Sequence, residues 1–195
     1  AGKKMYGTDA GKLKQVIAQA NYDGATGTSN IDVVNDGTID YSKKGATAIV
    51  VDYGQATNNG LIKMDAANGS TENSIGLFGA SSSKLTNSAT GEIQLGTRGV
   101  GIWGTNKISS SISTWGKNID ITNNGKIEIS GKAVGIYANN TSSIPNFDKH
   151  VTKENAVVNN NASLSFGNDS IGIFSKKATI NLTGTGTDDI SVGEK

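Results

Sequence analysis

Short alternations of apolar and polar residues run along the chain from residue 31 onward. The clearest set has three runs in succession: Ile119 with Ile121, Ile127 with Ile129, and Val134 with Ile136. An earlier set has the same form: Ile31 with Val33, Ile39 with Tyr41, and Ala48 with Val50. Alternation with a period of two indicates β-strands, and turns rich in Asn, Gly and Ser separate the runs. The pattern therefore predicts short strands joined by sharp corners.

The strands belong to a sequence unit that recurs along the chain. Its best copy, residues 124–138, reads NGKIEISGKAVGIYA. Other copies start at Gly91 and near Asn161, a looser one starts at Asn59, and Asn35–Tyr41 is the leading part of another. The turn positions of these copies are separated by 23, 31, 34 and 37 residues: Gly37, Gly60, Gly91, Gly125 and Ala162. Unequal spacing with constant strands indicates inserts at the corners of a solenoid.

Three short strands in each repeat of about 20–40 residues, with no helix between them, predict an all-β parallel β-helix. Each coil would add one rung to three parallel sheets, at about 4.8 Å per rung. We expect five to six coils over residues 31–195, with loop inserts at 80–87, 105–118 and 139–155. A propeller would need four longer antiparallel strands per blade, and a sandwich would not repeat its sequence so closely.

The first thirty residues do not follow the repeat. Thr8 or Asp9 is placed to cap a short helix with four apolar residues on one face: Leu13, Val16, Ile17 and Ala20. We therefore predict a helical cap or connector over residues 1–30, docked on an end or a side of the stack.

Strand alternation predicts which side chains face the core. In the best copy, the residues expected to face inward are Ile127, Ile129, Val134 and Ile136, and those expected to face outward are Lys126, Glu128, Gly135 and Tyr137. The same phase, with Ile49 and Val51 as the outward pair of the first copy, predicts an outward ladder of Val51, Phe78, Trp103, Tyr137 and Phe174. A groove of glycines would run beside it, formed by Gly76, Gly101, Gly135 and Gly172.

The aromatic ladder has two interpretations. It binds a partner or stacks on sugar rings, or it is structural, with aromatic rungs packing on one another. The inserts are likewise either binding loops or solvated loops, and they contain Trp115 and Phe147. The candidate ligand or partner contacts are therefore Trp103, Trp115, Tyr137, Phe147, Phe78 and Phe174.

The composition of the chain argues against several classes of function. The net charge is +1 and Arg98 is the only arginine, so the chain has no electrostatic footprint for nucleic acid. The absence of cysteine excludes disulfides and thiolate metal sites. No apolar run approaches the length of about 18 residues that a membrane helix needs. No dinucleotide, phosphate-loop or calcium-repeat motif is present, so we expect no cofactor and no metal.

Catalysis on a β-helix would need a pair of carboxylates about 5–10 Å apart in a groove. Six residues are expected to share one outward position on successive rungs: Asp40, Lys63, Gln94, Glu128, Ser165 and Asn181. This row has no adjacent carboxylates, Asp32 and Asp120 share another position several rungs apart, and His150 is alone in an insert. We therefore predict that the chain is not an enzyme, with a β-helical polysaccharide-active enzyme as the lesser alternative.

The recurring pattern N-x-G-x-I-x-I…G-x-x-(V/I)-G-I-(Y/F/W), at 123–137, 88–103 and 160–174, resembles the passenger domains of large type V autotransporters. It is closest to fusobacterial-type outer-membrane adhesins, and the resemblance covers about residues 31–183. It implies a right-handed β-helix on the bacterial surface that attaches to host cells, glycans or other bacteria. The chain would then be an excised segment of a parent anchored by a C-terminal outer-membrane β-barrel. A structural stalk spacer is the main alternative.

Overall fold

The computed structural model describes residues 4–6, 16–20, 32–41, 45–52, 54–64, 73–80, 83–105, 119–140, 156–183 and 190–192. These residues form three parallel sheets. Sheet A contains β1 (Lys4–Tyr6), β4 (Thr38–Tyr41), β7 (Leu61–Met64), β10 (Glu92–Leu95), β13 (Lys126–Ile129), β16 (Leu164–Phe166) and β19 (Ile190–Val192). Sheet B contains β2 (Val16–Ala20), β5 (Thr47–Asp52), β8 (Ile75–Ala80), β11 (Val100–Thr105), β14 (Val134–Asn139) and β17 (Ile171–Lys176). Sheet C contains β3 (Asp32–Asn35), β6 (Gln55–Asn58), β9 (Lys84–Asn87), β12 (Asp120–Asn123), β15 (Ala156–Asn160) and β18 (Ala178–Leu182).

Every third strand returns to the same sheet and pairs in parallel with the strand one coil earlier. The predicted all-β parallel β-helix with three strands per coil is therefore confirmed, and the described strands make six coils and begin a seventh. The predicted spacing of the coils is also confirmed. Hydrogen bonds at the corner that leads from sheet C to sheet A, and at the start of sheet A, join residues 23, 31, 34 and 37 positions apart in successive coils.

The core is a set of aliphatic columns, one on the inner face of each sheet. In sheet A the column is Ile62, Ile93, Ile127 and Leu164; in sheet B it is Ile49, Leu77, Ile102 and Ile136; in sheet C it is Ala56, Leu85, Ile121 and Val158. These side chains are buried, and like residues stack on like residues because the rungs are in register. The inward orientation predicted for Ile127, Ile129 and Ile136 is confirmed.

The predicted glycine groove on the outside of sheet B is wrong. An added Cβ at Gly101 would lie 2.6 Å from the Gly135 carbonyl oxygen and 2.9 Å from Ile127 Cγ2, so this position faces the core. Gly76 stands against Ile93 in the same way, and Gly135 stands against the ring of Phe166. At Gly76, Gly101 and Gly135 the glycine and the next residue are both buried, so the strand must bend there. Only a residue without a side chain fits so close to the neighbouring rung.

The bend also corrects two details of the predicted phase. Val134, expected to face the core, is half-buried. In the first copy, Ile49 and Val51 are fully buried, whereas Val50 pairs with Phe78 and is half-buried. The outward column therefore begins at Val50 and not at Val51.

A buried ladder of asparagines runs through the stack where sheet C ends. Each side-chain amide donates to the side-chain oxygen one coil further on, at 2.7, 2.9, 2.9 and 2.7 Å, in the order Asn35, Asn58, Asn87, Asn123 and Asn160. Asn160 ends the ladder by donating to the carbonyl of Ala162 at 2.9 Å. Buried amides are tolerated because each one is paired. This ladder was not predicted from the sequence, which indicated only that the Asn residues belong to turns.

Two local expectations are wrong. The helix predicted to reach Ala20 is not formed over residues 16–20, because Val16–Ala20 is strand β2 and pairs with β5; residues 7–15 lie outside the described residues. The loop predicted at 80–87 contains strand β9, which pairs with β6 and β12. In both places, pairing with the adjacent rung overrides the local sequence preference. The described residues include no helix that is long and apolar enough to cross a membrane.

Candidate functional site

A column of aromatic side chains lies on the outer face of sheet B. Phe78, Trp103, Tyr137 and Phe174 are rung partners in β8, β11, β14 and β17. The first three are half-buried and Phe174 is 43% exposed. The outward orientation predicted for these four residues is therefore confirmed, and the column crosses four coils.

The rings contact one another along the column. Phe78 and Trp103 meet edge to face with centroids 5.6 Å apart, and Trp103 and Tyr137 meet in the same way at 5.3 Å. Tyr137 and Phe174 lie nearly parallel at 5.2 Å. Each such pair contributes about 0.5–1.5 kcal/mol beyond the burial of its area. The column thus stabilises the stack and at the same time leaves ring surface at the outer face.

Trp103 differs from the other members because its indole Nε1 is buried without a hydrogen-bond partner. An unpaired buried donor costs about 1–3 kcal/mol, and native folds normally satisfy such a donor with water or a partner group. Trp103 therefore carries a buried N–H donor that lacks a hydrogen-bond acceptor.

Two of the predicted contacts, Trp115 and Phe147, lie outside the described residues. Their place along the chain is nevertheless defined. Residues 106–118 connect β11 to β12 and residues 141–155 connect β14 to β15, so both segments leave sheet B directly after the strands that carry Trp103 and Tyr137. The predicted inserts and the middle of the aromatic column therefore belong to the same two coils.

Sheet A carries a polar row on its outer face. Rung pairing places Asp40, Lys63, Gln94, Glu128 and Ser165 in one column, as predicted. The assignment of Asn181 to this row is wrong: Asn181 lies in sheet C, pairs with Asn159, and donates to its side chain at 2.8 Å, whereas the rung partner of Ser165 is Ser191. The strand that carries Asn181, β18, follows β17 almost directly and belongs to sheet C, and the next strand of sheet A is β19. Asp32 and Asp120 share an outward position on sheet C, three rungs apart, as predicted.

Beside this row, Lys126 lies between two carboxylates. Its Nζ is 3.3 Å from Glu92 Oε1 and 2.9 Å from Glu128 Oε2. Gln94 donates to Glu92 Oε1 at 2.9 Å. The hydrogen bond from Gln94, with a further contribution from Lys126, holds the pKa of Glu92 below its usual value. Hydrogen bonds to Glu128 and Glu92 raise the pKa of Lys126. The sequence analysis compared only the column that contains Gln94 and Glu128. Glu92 and Lys126 form the neighbouring column, two residues earlier in the same strands, so the network was missed.

Glu92 and Glu128 are the two carboxylates of this network that could form a catalytic pair. Two carboxylate oxygens at 3.3 and 2.9 Å from the same nitrogen are at most about 6.2 Å apart, a limit that admits the separation of about 5–5.5 Å used by retaining glycoside hydrolases. Such a mechanism also needs one carboxyl to be protonated, and an ammonium group between the two opposes protonation. All three side chains are substantially exposed to solvent. The arrangement therefore corresponds to a surface ion-pair network.

Neither the family models nor the curated proteins nor the solved structures with which the chain was compared gave a match.

Proposed function

We propose that this chain is a segment of a bacterial surface adhesin. In this proposal a non-catalytic β-helical scaffold, displayed at the bacterial cell surface, attaches to a protein or glycan of a host cell or to another bacterium. The resemblance of the repeat to autotransporter passenger domains supports the location. The column of outward aromatic side chains supports attachment.

The aromatic column is the observation that carries the proposal. Four aromatic residues on one face, at spacings of 5.2–5.6 Å, form a rigid apolar strip on a framework fixed by parallel pairing. Aromatic side chains are the residues most enriched among the anchors of binding interfaces, because they bury much area at little entropic cost. Trp103, which lies between Phe78 and Tyr137 in the middle of the column, is the anchor that we expect to contribute most.

The variant Trp103→Ser/Tyr137→Ser tests the role of this column. We expect attachment of the labelled chain to host cells or bacterial cells, measured by flow cytometry, to fall by roughly thirtyfold or more, since an aromatic anchor contributes about 2 kcal/mol. Thr57→Ala, on the outer face of sheet C, is the matched control and should attach normally. Attachment of the unaltered chain should change little with salt, because the contacts are not ionic.

Urea unfolding of both variants accompanies the assay, so that a loss of attachment is interpreted only for a folded chain. A folded double variant that attaches as well as the unaltered chain would contradict binding through the aromatic column. An unaltered chain that attaches to no cell or glycan would instead favour the structural stalk spacer, for which ring packing within the column is sufficient.

A further inference from the structure

A groove runs along the stack beside the outer face of sheet A. It has a volume of about 440 Å³ and crosses four coils. Each coil contributes a polar residue from the outward column of sheet A, namely Lys63, Gln94, Glu128 and Ser165, and Ser130 also lines the groove. Leu95, Ile129 and Phe166, at the ends of their strands, line its other side. The groove therefore presents a regular series of hydrogen-bonding groups along the stack.

Two of the four lining side chains are held in place by neighbours. Gln94 donates to Glu92 at 2.9 Å, and Glu128 contacts Lys126 at 2.9 Å. The carbonyl oxygen of Gln94 and the other carboxylate oxygen of Glu128 have no hydrogen-bond partner among the described residues. Side chains that are already positioned lose less conformational entropy when they bind a ligand. The groove is thus partly preorganised.

Charges of both signs line and flank the groove, without an excess of cations, since Asp40 is the rung partner of Lys63. Lys63 and Lys126 are cationic, and Glu92 and Glu128 are anionic. Because the pKa of Glu92 is lowered and that of Lys126 is raised, these two groups stay charged at neutral pH. A groove without an excess of positive charge does not select polyanions such as nucleic acids. Its mixture of donors and acceptors fits a neutral ligand rich in hydroxyl groups.

The spacing of the rungs selects the type of polymer. Parallel rungs are about 4.8 Å apart, so the lining groups recur at about that interval. An extended peptide advances about 3.3 Å per residue, so about three residues span two rungs, and because side chains alternate between faces the residue reached there points the opposite way. An extended chain of six-membered sugar rings advances by close to one rung per ring. A saccharide can therefore present equivalent hydroxyl groups to each coil.

We propose that this groove binds a neutral, extended saccharide chain that lies along the stack, with about one sugar ring for each of the four coils. Its hydroxyl groups bond to Gln94 and Glu128 in the centre and to Lys63 and Ser165 at the ends. The inference goes beyond attachment through the aromatic column, because it names a second surface and a ligand class.

Isothermal titration of the full chain with β-1,4-linked gluco-oligosaccharides and N-acetylglucosamine oligosaccharides of two to six sugars tests the proposal. We expect affinity to rise with length up to about four sugars and then to level off. Gln94→Ala/Ser165→Ala should weaken binding at least tenfold. Gln55→Ala, an exposed glutamine on sheet C, is the matched control and should not change binding. Acidic oligosaccharides and an extended neutral peptide should bind more weakly than the neutral sugars.

Binding that ignores length, binding unchanged in Gln94→Ala/Ser165→Ala, or no binding of any oligosaccharide would overturn the groove proposal. The cell-attachment assay distinguishes this failure from failure of the adhesin proposal. A chain whose attachment depends on Trp103 but which binds no oligosaccharide remains an adhesin without a saccharide groove. Urea unfolding of the groove variant verifies that its outward substitutions leave the stack folded.

Discussion

Replacement of Asn87 by alanine is expected to lower the free energy of unfolding by about 2–4 kcal/mol, because it breaks the buried ladder in its centre. Asn87 is fully buried, donates to Asn123 at 2.9 Å, and accepts from Asn58 at 2.9 Å. The substitution leaves the Asn123 side-chain oxygen without a donor. The Asn58 amide keeps only its longer bond to the Glu92 carbonyl, at 3.3 Å.

Asn87→Asp tests the same ladder at nearly constant volume. A carboxylate cannot donate to Asn123, and burial disfavours its charged form, which raises its pKa in the folded state. The penalty should therefore exceed that of Asn87→Ala at pH 7 and shrink as the pH falls through the raised folded pKa, where the protonated acid can donate. Urea unfolding at pH 7 and pH 4 measures this change.

Asn124→Ala is the matched control for both variants. Asn124 directly follows Asn123, the ladder partner of Asn87, but it is exposed and accepts one bond from Asn161. Its loss should cost no more than about 0.5 kcal/mol, as for most surface substitutions. If Asn87→Ala proved as mild as Asn124→Ala, the ladder would not be a stabilising element of this fold.

Replacement of Gly125 by alanine should destabilise the chain by about 1–3 kcal/mol, as expected for overpacking that the backbone must absorb. A Cβ at Gly125 would overlap the backbone carbonyl oxygens of Gly91 and Ser88. Backbone atoms cannot rotate away as a side chain does. The corner must move, and the bond from the Lys126 amide to the Gly91 carbonyl, at 3.0 Å, must lengthen or break.

The last described copy of the corner shows what an alanine does there. Ala162 occupies the position of Gly125 one coil later, since Asn161 bonds to Asn124. The glycine corners each carry a bond to the preceding glycine carbonyl: Leu61 to Gly37, Glu92 to Gly60, and Lys126 to Gly91. In the described coils Ser163 makes no such bond to Gly125.

Ala162→Gly should therefore be neutral or slightly stabilising, and it is the matched control for Gly125→Ala in urea unfolding. Equal effects of the two substitutions would contradict this account of the corner.

The rung structure was predictable because its signal repeats. Isoleucine pairs such as Ile127 and Ile129 recur at matching places after each turn, and the turn positions alone gave the rung offsets that the hydrogen bonds confirm. The outward direction of Trp103 and Tyr137 followed from the same alternation. Repetition compensates for the weakness of any single short strand signal.

The errors arose where the local pattern does not determine the structure. Period-two alternation assumes a regular strand, so the bend at Gly101 reversed the orientation predicted for the glycine. The segment that ends at Ala20 has apolar residues that fit a helix face, but the free edge of β5 provides parallel pairing that a helix cannot use.

The asparagine ladder could not be predicted from the sequence for a different reason. Asparagine is common in turns because its side chain bonds to the local backbone. Asn123 and Asn124 are therefore indistinguishable by residue type, although Asn123 is buried and Asn124 is exposed. Only the rung register shows that Asn123 pairs along the stack.

The in-register stacking of coils is the basis of the asparagine ladder, the aromatic column and the groove alike, and engineered cysteines test it most directly. The chain contains no cysteine of its own. Thr86 and Thr122 are rung partners on the outer face of sheet C, at the rung spacing of about 4.8 Å, which lies within disulfide range. Lys84 is two residues out of register with Thr122 on the same face, at about 8 Å, beyond that range.

Mild oxidation followed by thiol alkylation and mass spectrometry should show a disulfide in Thr86→Cys/Thr122→Cys and free thiols in Lys84→Cys/Thr122→Cys. Preferential bridging of the out-of-register pair, or free thiols in both variants, would contradict the stacked-coil structure.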